Sequence, residues 1–427
     1  MTELADHQDV TASDDPSAIV ILGATINQQL RNELAGLPPA AAQALRFVCH
    51  ITHGSLEIRL PDGRRVKVES GTEGPAAELY IHDYGFFPRL FKDADLGVAE
   101  AYLDGQWSSP DPTSFLQLFA VNFDAYDAFL KRHKVLNLLN RLRHFFNRNT
   151  RSGARRNISA HYDMGNDFFA AWLDPTMTYS SAYFAEGAND LPTAQTAKYR
   201  AIANSLGLSD RHSVLEIGCG WGGFAEFAAR DIGCNVVGLT ISKEQYDFTK
   251  KRLFDAGLTE KVDVRLRDYR DETDSFDRIV SIEMIEAVGE KYWPTYFAAL
   301  RDRLVEGGRA GIQAITIRQD MFDTYRRSPD FIQRHIFPGG MLPTRDILSD
   351  LGAHTGLPLV SERAFGLDYA RTLEQWRERF EAAWPTLTPL GFDERFRRLW
   401  TYYLHYCEAG FRGGSIDVHQ FCFAKST

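Results

Sequence analysis

The sequence VLEIGCGWGG, residues 214–223, joins a short apolar run to four glycines. The apolar run is typical of a buried strand, and the glycines follow where the chain must turn tightly into a helix. Glycines at such a turn let backbone N–H groups approach a bound nucleotide closely. Because Gly218, Gly220 and Gly223 also fit the GxGxxG pattern of dinucleotide sites, the motif alone leaves two classes of enzyme open, besides a turn that binds no ligand.

The next predicted strand separates these two classes. A dinucleotide site expects an acidic residue about 20 positions further on, where it binds the ribose. That neighbourhood reads VVGLTISKEQ, and Thr240 stands where the acid is usual. Glu216, directly before the glycines, is the acid typical of methyltransferase turns. These two residues favour an S-adenosylmethionine-dependent methyltransferase over a dehydrogenase.

Strand and helix patterns alternate after residue 157. The strand-like runs are SVLEIGCG, NVVGLTI, VDVRLRD, FDRIVSI and GRAGIQAITI, and helical stretches lie between them. Such alternation predicts an α/β domain over residues 157–427, with a mostly parallel, Rossmann-like sheet and helices on both faces. We expect the aromatic-rich tail, residues 376–423, to complete or cover this domain.

The first third of the chain predicts smaller units. Residues 1–18 are polar and predict a disordered tail. A helical stretch from Thr25, and the run FVCHITHGSLEIRLPDGRRVKVES around its Pro-Asp-Gly turn, predict a small N-terminal α+β domain over residues 19–130. Residues 131–156 carry nine Lys or Arg and no acid. They predict a basic amphipathic linker, which is either a solvated face or a surface that docks onto anionic phospholipid.

The bulk composition excludes several classes of function. The net charge of −9 argues against nucleic-acid binding as the main activity. The five cysteines are scattered, without CxxC pairs or Cys/His ligand spacing, which predicts reduced thiols in the cytoplasm and no metal site. The acidic start of the chain and the lack of an apolar run of about 18 residues argue against secretion and membrane spanning.

Further segments resemble one family. They are ISAHYDMGNDFFAAWLDPTMTYSSAYF, GCGWGGFAEFAA with GLTISKEQ, SIEMIEAVG, and FGLDYARTLEQWRERF with TYYLHYCEAGFRGG. Together they are similar to the cyclopropane fatty acid synthases, including the mycolic acid branch, and LGVAEAYLDGQWSSPDPTSFLQLF looks like the N-terminal domain of the longer members. The resemblance implies the class I methyltransferase fold and S-adenosylmethionine as the methyl donor.

The resemblance also implies a substrate and a location. The methyl group would go to the cis double bond of an unsaturated acyl chain in membrane phospholipid, through a carbocation. The N-terminal domain would associate with lipid, the protein would lie peripherally on the inner face of the cell membrane, and the longer members imply a homodimer. Two other functions stay open at this point: a methyltransferase for a soluble small molecule, and a lipid-binding homologue without catalytic activity.

Cofactor contacts follow from the resemblance residue by residue. They are Tyr179, Ser180, Glu216, Gly218, Cys219, Gly220, Trp221, Gly222, Thr240, Gln245, Asp268 and Tyr269. Each has a structural alternative: Tyr179 and Tyr269 as packed aromatics, and Ser180 and Thr240 as helix caps.

The catalytic residues depart from the family pattern. In cyclopropane-forming members a bicarbonate acts as the base, and a Cys, a Glu, a His, a Tyr and a backbone amide hold it. Glu286 and Tyr369 match the Glu and the Tyr, and Ile315 supplies the amide. Ser181 replaces the Cys and Gln313 replaces the His, and Gln cannot titrate as His does. The resemblance therefore leaves bicarbonate binding open.

Two further expectations concern the product and a cysteine. The Ser and Gln replacements, and Ala287 where relatives commonly have His, resemble members that methylate lipids without closing a ring. They favour a methylene or methyl branch over a cyclopropane. Cys407 lies where the family is often assigned an active cysteine, although no neighbouring base in the sequence indicates a thiolate.

Overall fold

The computed structural model describes residues 19–22, 34–126, 164–184 and 187–426. The strands in these ranges are β1 Ile19–Leu22, β2 Ser55–Arg59, β3 Arg65–Glu69, β4 Ala76–Ile81, β5 Trp107–Ser108, β6 Ser213–Ile217, β7 Asn235–Thr240, β8 Val262–Leu266, β9 Phe276–Ile282, β10 Leu304–Ile317, β11 Leu359–Ala364 and β12 Ile416–Ala424. The α-helices are α1 Pro39–Val48, α2 Phe86–Asp93, α3 Asp95–Leu103, α4 Pro112–Val121, α5 Asn166–Ala170, α6 Leu191–Leu206, α7 Gly223–Phe227, α8 Lys243–Asp255, α9 Ile285–Val288, α10 Trp293–Arg303, α11 Gln319–Tyr325, α12 Arg345–His354, α13 Gly366–Leu387 and α14 Glu394–Arg412.

The larger part is a seven-stranded sheet in the order β11-β12-β10-β9-β6-β7-β8. The five strands from β10 to β8 run parallel. Both faces of the sheet are covered, because Val214 packs into one apolar cluster with α6 and α7 while Leu215 packs into another with α10. This arrangement confirms the predicted class I methyltransferase fold and its five parallel strands.

The tail of the chain completes this sheet. β12 pairs antiparallel with both β10 and β11. Its register places Gln420 opposite Gln313, deep in the sheet. The helices α13 and α14 come just before β12 in the chain and pack against each other. Residues far apart in sequence therefore meet beside the central strands.

The N-terminal part forms its own five-stranded sheet, in the order β1-β3-β2-β4-β5. β2 and β3 form the predicted hairpin, with Arg59 opposite Arg65 across the Pro-Asp-Gly turn. The hairpin begins only at Ser55, because the preceding Phe47 and Val48 end α1 rather than entering a strand. The helix α3 stops at Leu103, and β5 follows it.

The N-terminal sheet and its helices dock on the catalytic part through α14. Thr113 on α4 donates from Oγ1 to Glu408 Oε2 at 3.0 Å, and its Oγ1 lies 2.7 Å from His405 Nδ1. The Tyr402 ring lies 5.3 Å from the ring of Tyr102. These contacts are buried, so the two parts share one continuous interior.

Three sequence predictions fall outside the described residues: the polar tail 1–18, most of the helical stretch from Thr25, and the basic segment 131–156. Among the residues that the structure does describe, no helix is long and apolar enough to cross a membrane.

Candidate active site

The turn after β6 requires glycine. Gly218, Gly220 and Gly222 have φ angles of 82°, 53° and 82°, in the left-handed region that other residues rarely adopt. A Cβ atom at Gly222 would lie only 2.5 Å from Cγ2 of Thr249 on α8. The turn thus depends on glycine for its backbone conformation and, at Gly222, also for space.

The side chains inside the turn are packed. Trp221 donates from Nε1 to Oδ1 of Asn166 at 2.7 Å, and its ring lies 4.9 Å from that of Phe169. Cys219 is buried, and burial raises the pKa of its thiol well above the usual value. Trp221 therefore ties the turn to α5, and Cys219 is a packed thiol.

Glu216, at the end of β6, has the character of a ligand-binding acid. Its side chain is buried, and its Oε2 atom has no hydrogen-bond partner in the described part of the chain. A buried acceptor without a partner is costly, so a donor from a ligand would stabilise it. The ammonium group of S-adenosylmethionine is such a donor, and the residues present fit that cofactor.

Thr240 and Gln245 meet each other at the end of β7. Thr240 Oγ1 donates to Gln245 Oε1 at 2.9 Å and accepts from the Ser242 amide at 3.1 Å. The cap of α8 is Ser242 and not Thr240, because the Ser242 side chain accepts from the Gln245 amide. Thr240 therefore orders the turn into α8, next to the glycine turn.

Asp268 and Tyr269 follow β8. The Asp268 carboxylate accepts hydrogen bonds from the backbone and side chain of Arg270. The Tyr269 ring packs edge-on against Tyr296, with 5.6 Å between centroids. Since β6, β7, β8 and β9 are parallel, the residues after each strand lie along one edge of the sheet, where α/β proteins bind their ligands.

Tyr179 and Ser180 reach this edge from the segment before α6. The hydroxyls of Tyr179 and Tyr403 are 2.9 Å apart. Ser180 Oγ accepts from the buried Lys198 ammonium at 2.6 Å. Burial lowers the pKa of Lys198 to about 7, against the attraction of Glu283 and two other acids.

Glu283 is the centre of the predicted catalytic cluster, and the sequence analysis missed it. Its Oε1 accepts from Nε2 of Gln313 and from the backbone amide of Ser181, both at 2.8 Å. Its Oε2 accepts from the Tyr369 hydroxyl at 2.7 Å. Three of the residues predicted to hold an anion therefore already bind the carboxylate of a fourth residue.

Two of the predicted residues make other contacts than the resemblance implies. Ser181 contributes its backbone amide, because its hydroxyl donates to the Ala182 carbonyl at 2.9 Å. Glu286 does not meet Tyr369; it accepts from the Ile315 amide at 2.6 Å. A sequence signal for Glu283 existed, since an acid directly after the buried strand FDRIVSI stands at the ligand-binding edge of a parallel sheet.

Glu283 and Glu286 have different electrostatic surroundings. Burial, and then the charge of Glu283, raise the pKa of Glu286 to about 8, and its Oε2 has no partner among the described residues. Burial also raises the pKa of Glu283, but the nearby Lys198 and the three donors oppose this effect. Lys198 and the three donors therefore favour the ionised form of Glu283, whereas Glu286 has no such donors around its Oε2 and favours its protonated form.

Cys407 has the properties of a packed thiol. It lies on α14, and burial raises the pKa of its thiol far above neutrality. The thiolate that a nucleophile requires is thus absent at pH 7. A reactive role for Cys407 is therefore not supported. Among the described residues, no group of His, Cys, Asp and Glu could hold a metal ion.

Aromatic rings line the approach to Glu283. The Tyr369 ring stacks on Phe411 at 4.5 Å and lies 6.0 Å from Trp376. Trp376 in turn lies 5.2 Å from the Tyr179 ring. The Glu283 carboxylate is thus next to a cluster of aromatic side chains. Aromatic rings in general stabilise a nearby cation and exclude water.

Comparisons with known proteins show which family the chain is similar to. The family model "Mycolic acid cyclopropane synthetase" matches residues 149–421. Tuberculostearic acid methyltransferase UfaA1 of Mycobacterium tuberculosis is 39% identical over 386 residues, which are 88% of each chain. Cyclopropane-fatty-acyl-phospholipid synthase of Escherichia coli is 36% identical over 82% of this chain and 88% of its own.

Among solved structures, mycolic acid cyclopropane synthase CmaA1, complexed with SAH and CTAB, has a TM-score of 0.60 and 32% identity. The match covers 63% of this chain and 98% of that one. The cyclopropane synthase MmaA2 of Mycobacterium tuberculosis has the same TM-score and coverage with 35% identity. These structures correspond to the catalytic part, while the two curated relatives extend beyond it.

Proposed function

The chain belongs to the mycolic acid cyclopropane synthetase family, and from this membership we propose that it modifies the cis double bond of an unsaturated acyl chain in membrane phospholipid. It is an S-adenosylmethionine-dependent methyltransferase. The sulfonium of this co-substrate makes the methyl carbon electrophilic. The product carries a methylene or methyl branch or a cyclopropane ring, and we favour the branch because Ser181 and Gln313 replace the Cys and His of ring-forming members.

The main support for the proposal is that the glycine turn of the cofactor site lies beside the carboxylates of Glu283 and Glu286, and that aromatic rings lie next to these carboxylates. An alkene is a poor nucleophile, so the protein must hold it in line with the methyl group and exclude water. Rings such as Tyr179, Trp376 and Tyr369 supply faces that stabilise the carbocation formed by methyl transfer. The acid cluster then supplies a base for the proton that must leave.

The cofactor assignments rest on the edge where the parallel strands end. We assign Glu216 to the ammonium group, and Gly218, Cys219, Gly220, Trp221 and Gly222 to the turn that approaches the nucleotide. We assign Thr240, Gln245, Asp268 and Tyr269 to the ribose and adenine side, and Tyr179 and Ser180 to the opposite wall. The Glu216 oxygen that has no partner among the described residues supports this orientation.

We further propose that the chain acts at the membrane surface. The nine cations of residues 131–156 would each contribute about 1 kcal/mol near anionic lipid. The N-terminal domain, residues 19–130, would hold the catalytic domain against the bilayer, and a homodimer would double this attachment.

Liposome flotation tests membrane binding. Replacing Arg141, Arg143 and Arg148 by Gln should weaken this binding, and unchanged binding would contradict the proposal. Light scattering after gel filtration tests the dimer.

The decisive experiment expresses the chain in a bacterial host that makes unsaturated lipids. Fatty acid methyl esters are then analysed by mass spectrometry, and an empty vector serves as the control. We expect esters that are heavier by one CH₂ group for a ring or a methylene branch, and by two further hydrogens for a saturated methyl branch; proton NMR separates ring protons from vinylidene protons. Unchanged esters in cells that contain the folded protein would refute the lipid substrate.

A further inference from the structure

The donors around Glu283 leave no room for a bicarbonate. The family resemblance assigns Ser181, Gln313 and Tyr369 to that anion, yet all three donate to Glu283 within 2.8 Å. The remaining predicted donor, the Ile315 amide, binds Glu286. Bicarbonate would also meet a carboxylate of like charge at this place. The residues present therefore do not fit bicarbonate.

The backbone at Glu283 indicates that its position is selected for function. Its φ angle is 49°, in the left-handed region where a side chain costs about 1–2 kcal/mol. Such strain persists where the surrounding structure enforces it, and it concentrates at active sites. Here the enforced conformation directs the carboxylate onto the three donors.

The surroundings of Glu283 suit a base. Three hydrogen bonds orient the carboxylate, and the Lys198 ammonium, which donates to Ser180 beside Ser181, attracts it. The Tyr369 ring stacks on Phe411. The Gln313 side chain accepts a hydrogen bond from Gln420 at 3.0 Å. The carboxylate is thus fixed in place without a bound anion.

We propose that Glu283 is the catalytic base of this enzyme and takes the place of bicarbonate, an inference that rests on the proposed function. Methyl transfer leaves the C–S electron pair on sulfur, while the alkene π pair forms the new C–C bond and the neighbouring acyl carbon becomes a cation. Glu283 then accepts a proton from the transferred carbon. The neutral carboxyl releases this proton to water after the product leaves.

The same base serves either product. For a ring, the released C–H pair bonds the transferred carbon to the cationic carbon. For a methylene branch, a hydride first shifts from the methylated carbon to its cationic neighbour, and the released C–H pair then forms the double bond. The proposal therefore does not depend on which product forms.

Two substitutions test the base by activity. Purified protein is incubated with S-adenosylmethionine and vesicles of dioleoylphosphatidylglycerol in buffer freed of carbon dioxide, and S-adenosylhomocysteine formation is measured with and without added bicarbonate. We expect the wild type to be indifferent to bicarbonate, and Glu283→Gln to lose about 100-fold or more in rate without recovery. Glu283→Gly, which suits the φ of 49° and opens the pocket, should be inactive alone and recover with bicarbonate.

The matched control is Glu306→Gln, a surface glutamate whose side chain is 69% exposed, and it should keep the wild-type rate. Retained calorimetric binding of S-adenosylhomocysteine shows that the variants are folded. A wild type that requires bicarbonate, a Glu283→Gln protein with more than a tenth of the wild-type rate, or a Glu283→Gly protein that bicarbonate does not restore would each overturn the proposal.

A binding experiment separates this proposal from the proposed substrate. In ¹³C NMR with labelled bicarbonate, Glu283→Gly should broaden the bicarbonate signal and the wild type should not, whatever lipid the enzyme uses. Broadening by the wild type, or none by Glu283→Gly, would refute the replacement of bicarbonate by Glu283. A wild type that forms no S-adenosylhomocysteine with the vesicles would refute only the proposed lipid substrate.

Discussion

Glu283 and Glu286 are three residues apart, and their surroundings favour ionisation of Glu283 over ionisation of Glu286. Glu283 accepts from two side chains and one backbone amide, whereas Glu286 accepts from the Ile315 amide and has an oxygen without a partner in the described part of the chain. Two adjacent carboxylates avoid being charged together, so the better solvated one ionises first. Glu283 is therefore the group suited to receive a proton.

The hydroxyl of Tyr369 should set the pH at which the enzyme works. Its hydrogen bond to Glu283 lowers the pKa of that carboxyl, so Tyr369→Phe raises it. Activity requires the ionised base, so the acid limb of the rate profile should move about 1 unit to higher pH, and on that limb the variant should be about 10-fold slower than the wild type at the same pH. The measurement is kcat against pH at saturating S-adenosylmethionine.

Tyr406→Phe is the matched control for that variant, because it removes another buried hydroxyl, 3.5 Å from Asp330. The acid limb of its profile of kcat against pH should coincide with that of the wild type. Coincident profiles for Tyr369→Phe and the wild type would contradict the assignment of Glu283 as the base.

At the scale of elements, the site is built from the carboxyl ends of neighbouring strands. β6 ends in the glycine turn, β7 ends at Thr240, and β9 is followed by Glu283. Parallel pairing brings these ends to one edge although they lie tens of residues apart in sequence. The cofactor turn and the acid cluster are therefore neighbours because of the strand order, with β9 beside β6.

The glycine turn should tolerate no side chain at Gly222. Gly222→Ala places a Cβ 2.5 Å from Thr249 at a φ of 82°, so the turn must shift. We expect the affinity for S-adenosylhomocysteine, measured by calorimetry, to fall about 10-fold or more, because backbone N–H groups move away from the ligand.

Gly257→Ala is the control for Gly222→Ala, because it adds a side chain at a positive φ without a steric clash. Gly257 has a φ of 69° and no atom within 4 Å of an added Cβ. This variant should lose about 1 kcal/mol of stability and keep the wild-type affinity. Equal affinities for the two variants would show that the space at Gly222 is not required for binding.

At the scale of the whole molecule, the N-terminal part is joined to the catalytic part by buried polar contacts. Glu408 on α14 is 1% exposed and accepts from Thr113 on α4, and also from Arg412 at 2.8 Å and Arg377 at 3.3 Å. The neighbouring His405 is buried, and burial lowers its pKa to about 3, so it is neutral at pH 7. Glu408 is thus the central acceptor of this interface.

Loss of this acceptor should destabilise the whole chain. Glu408→Ala removes the buried acceptor that two arginines and the Thr113 hydroxyl share, and we expect the free energy of unfolding to fall by about 3–5 kcal/mol. Chemical denaturation measures this change. Glu374→Ala, which removes a 41% exposed partner of the same Arg412, should cost less than about 1 kcal/mol. Similar losses in both variants would refute the central role of Glu408.

The sequence alone determined the local features of this protein. The turn VLEIGCGWGG, the alternation of strands and helices, and Thr240 in place of an acid indicated the fold and the methyl donor, because glycine spacing and apolar periodicity are local properties. The hairpin between Arg59 and Arg65 followed in the same way, although the end of α1 was mistaken for its beginning. Ser181, Gln313 and Tyr369 were also recognised as one cluster by resemblance.

Only the tertiary structure decided what that cluster binds. Glu283 reaches Ser181, Gln313 and Tyr369 across 102, 30 and 86 residues of sequence, and its strained backbone directs it there. No pattern in the sequence encodes such distances, because they depend on strand order and on the pairing of β10 with β9 and β12. The sequence therefore identified the methyl donor and left bicarbonate binding open, whereas the packing of distant segments placed a carboxylate among the residues that the resemblance assigns to bicarbonate.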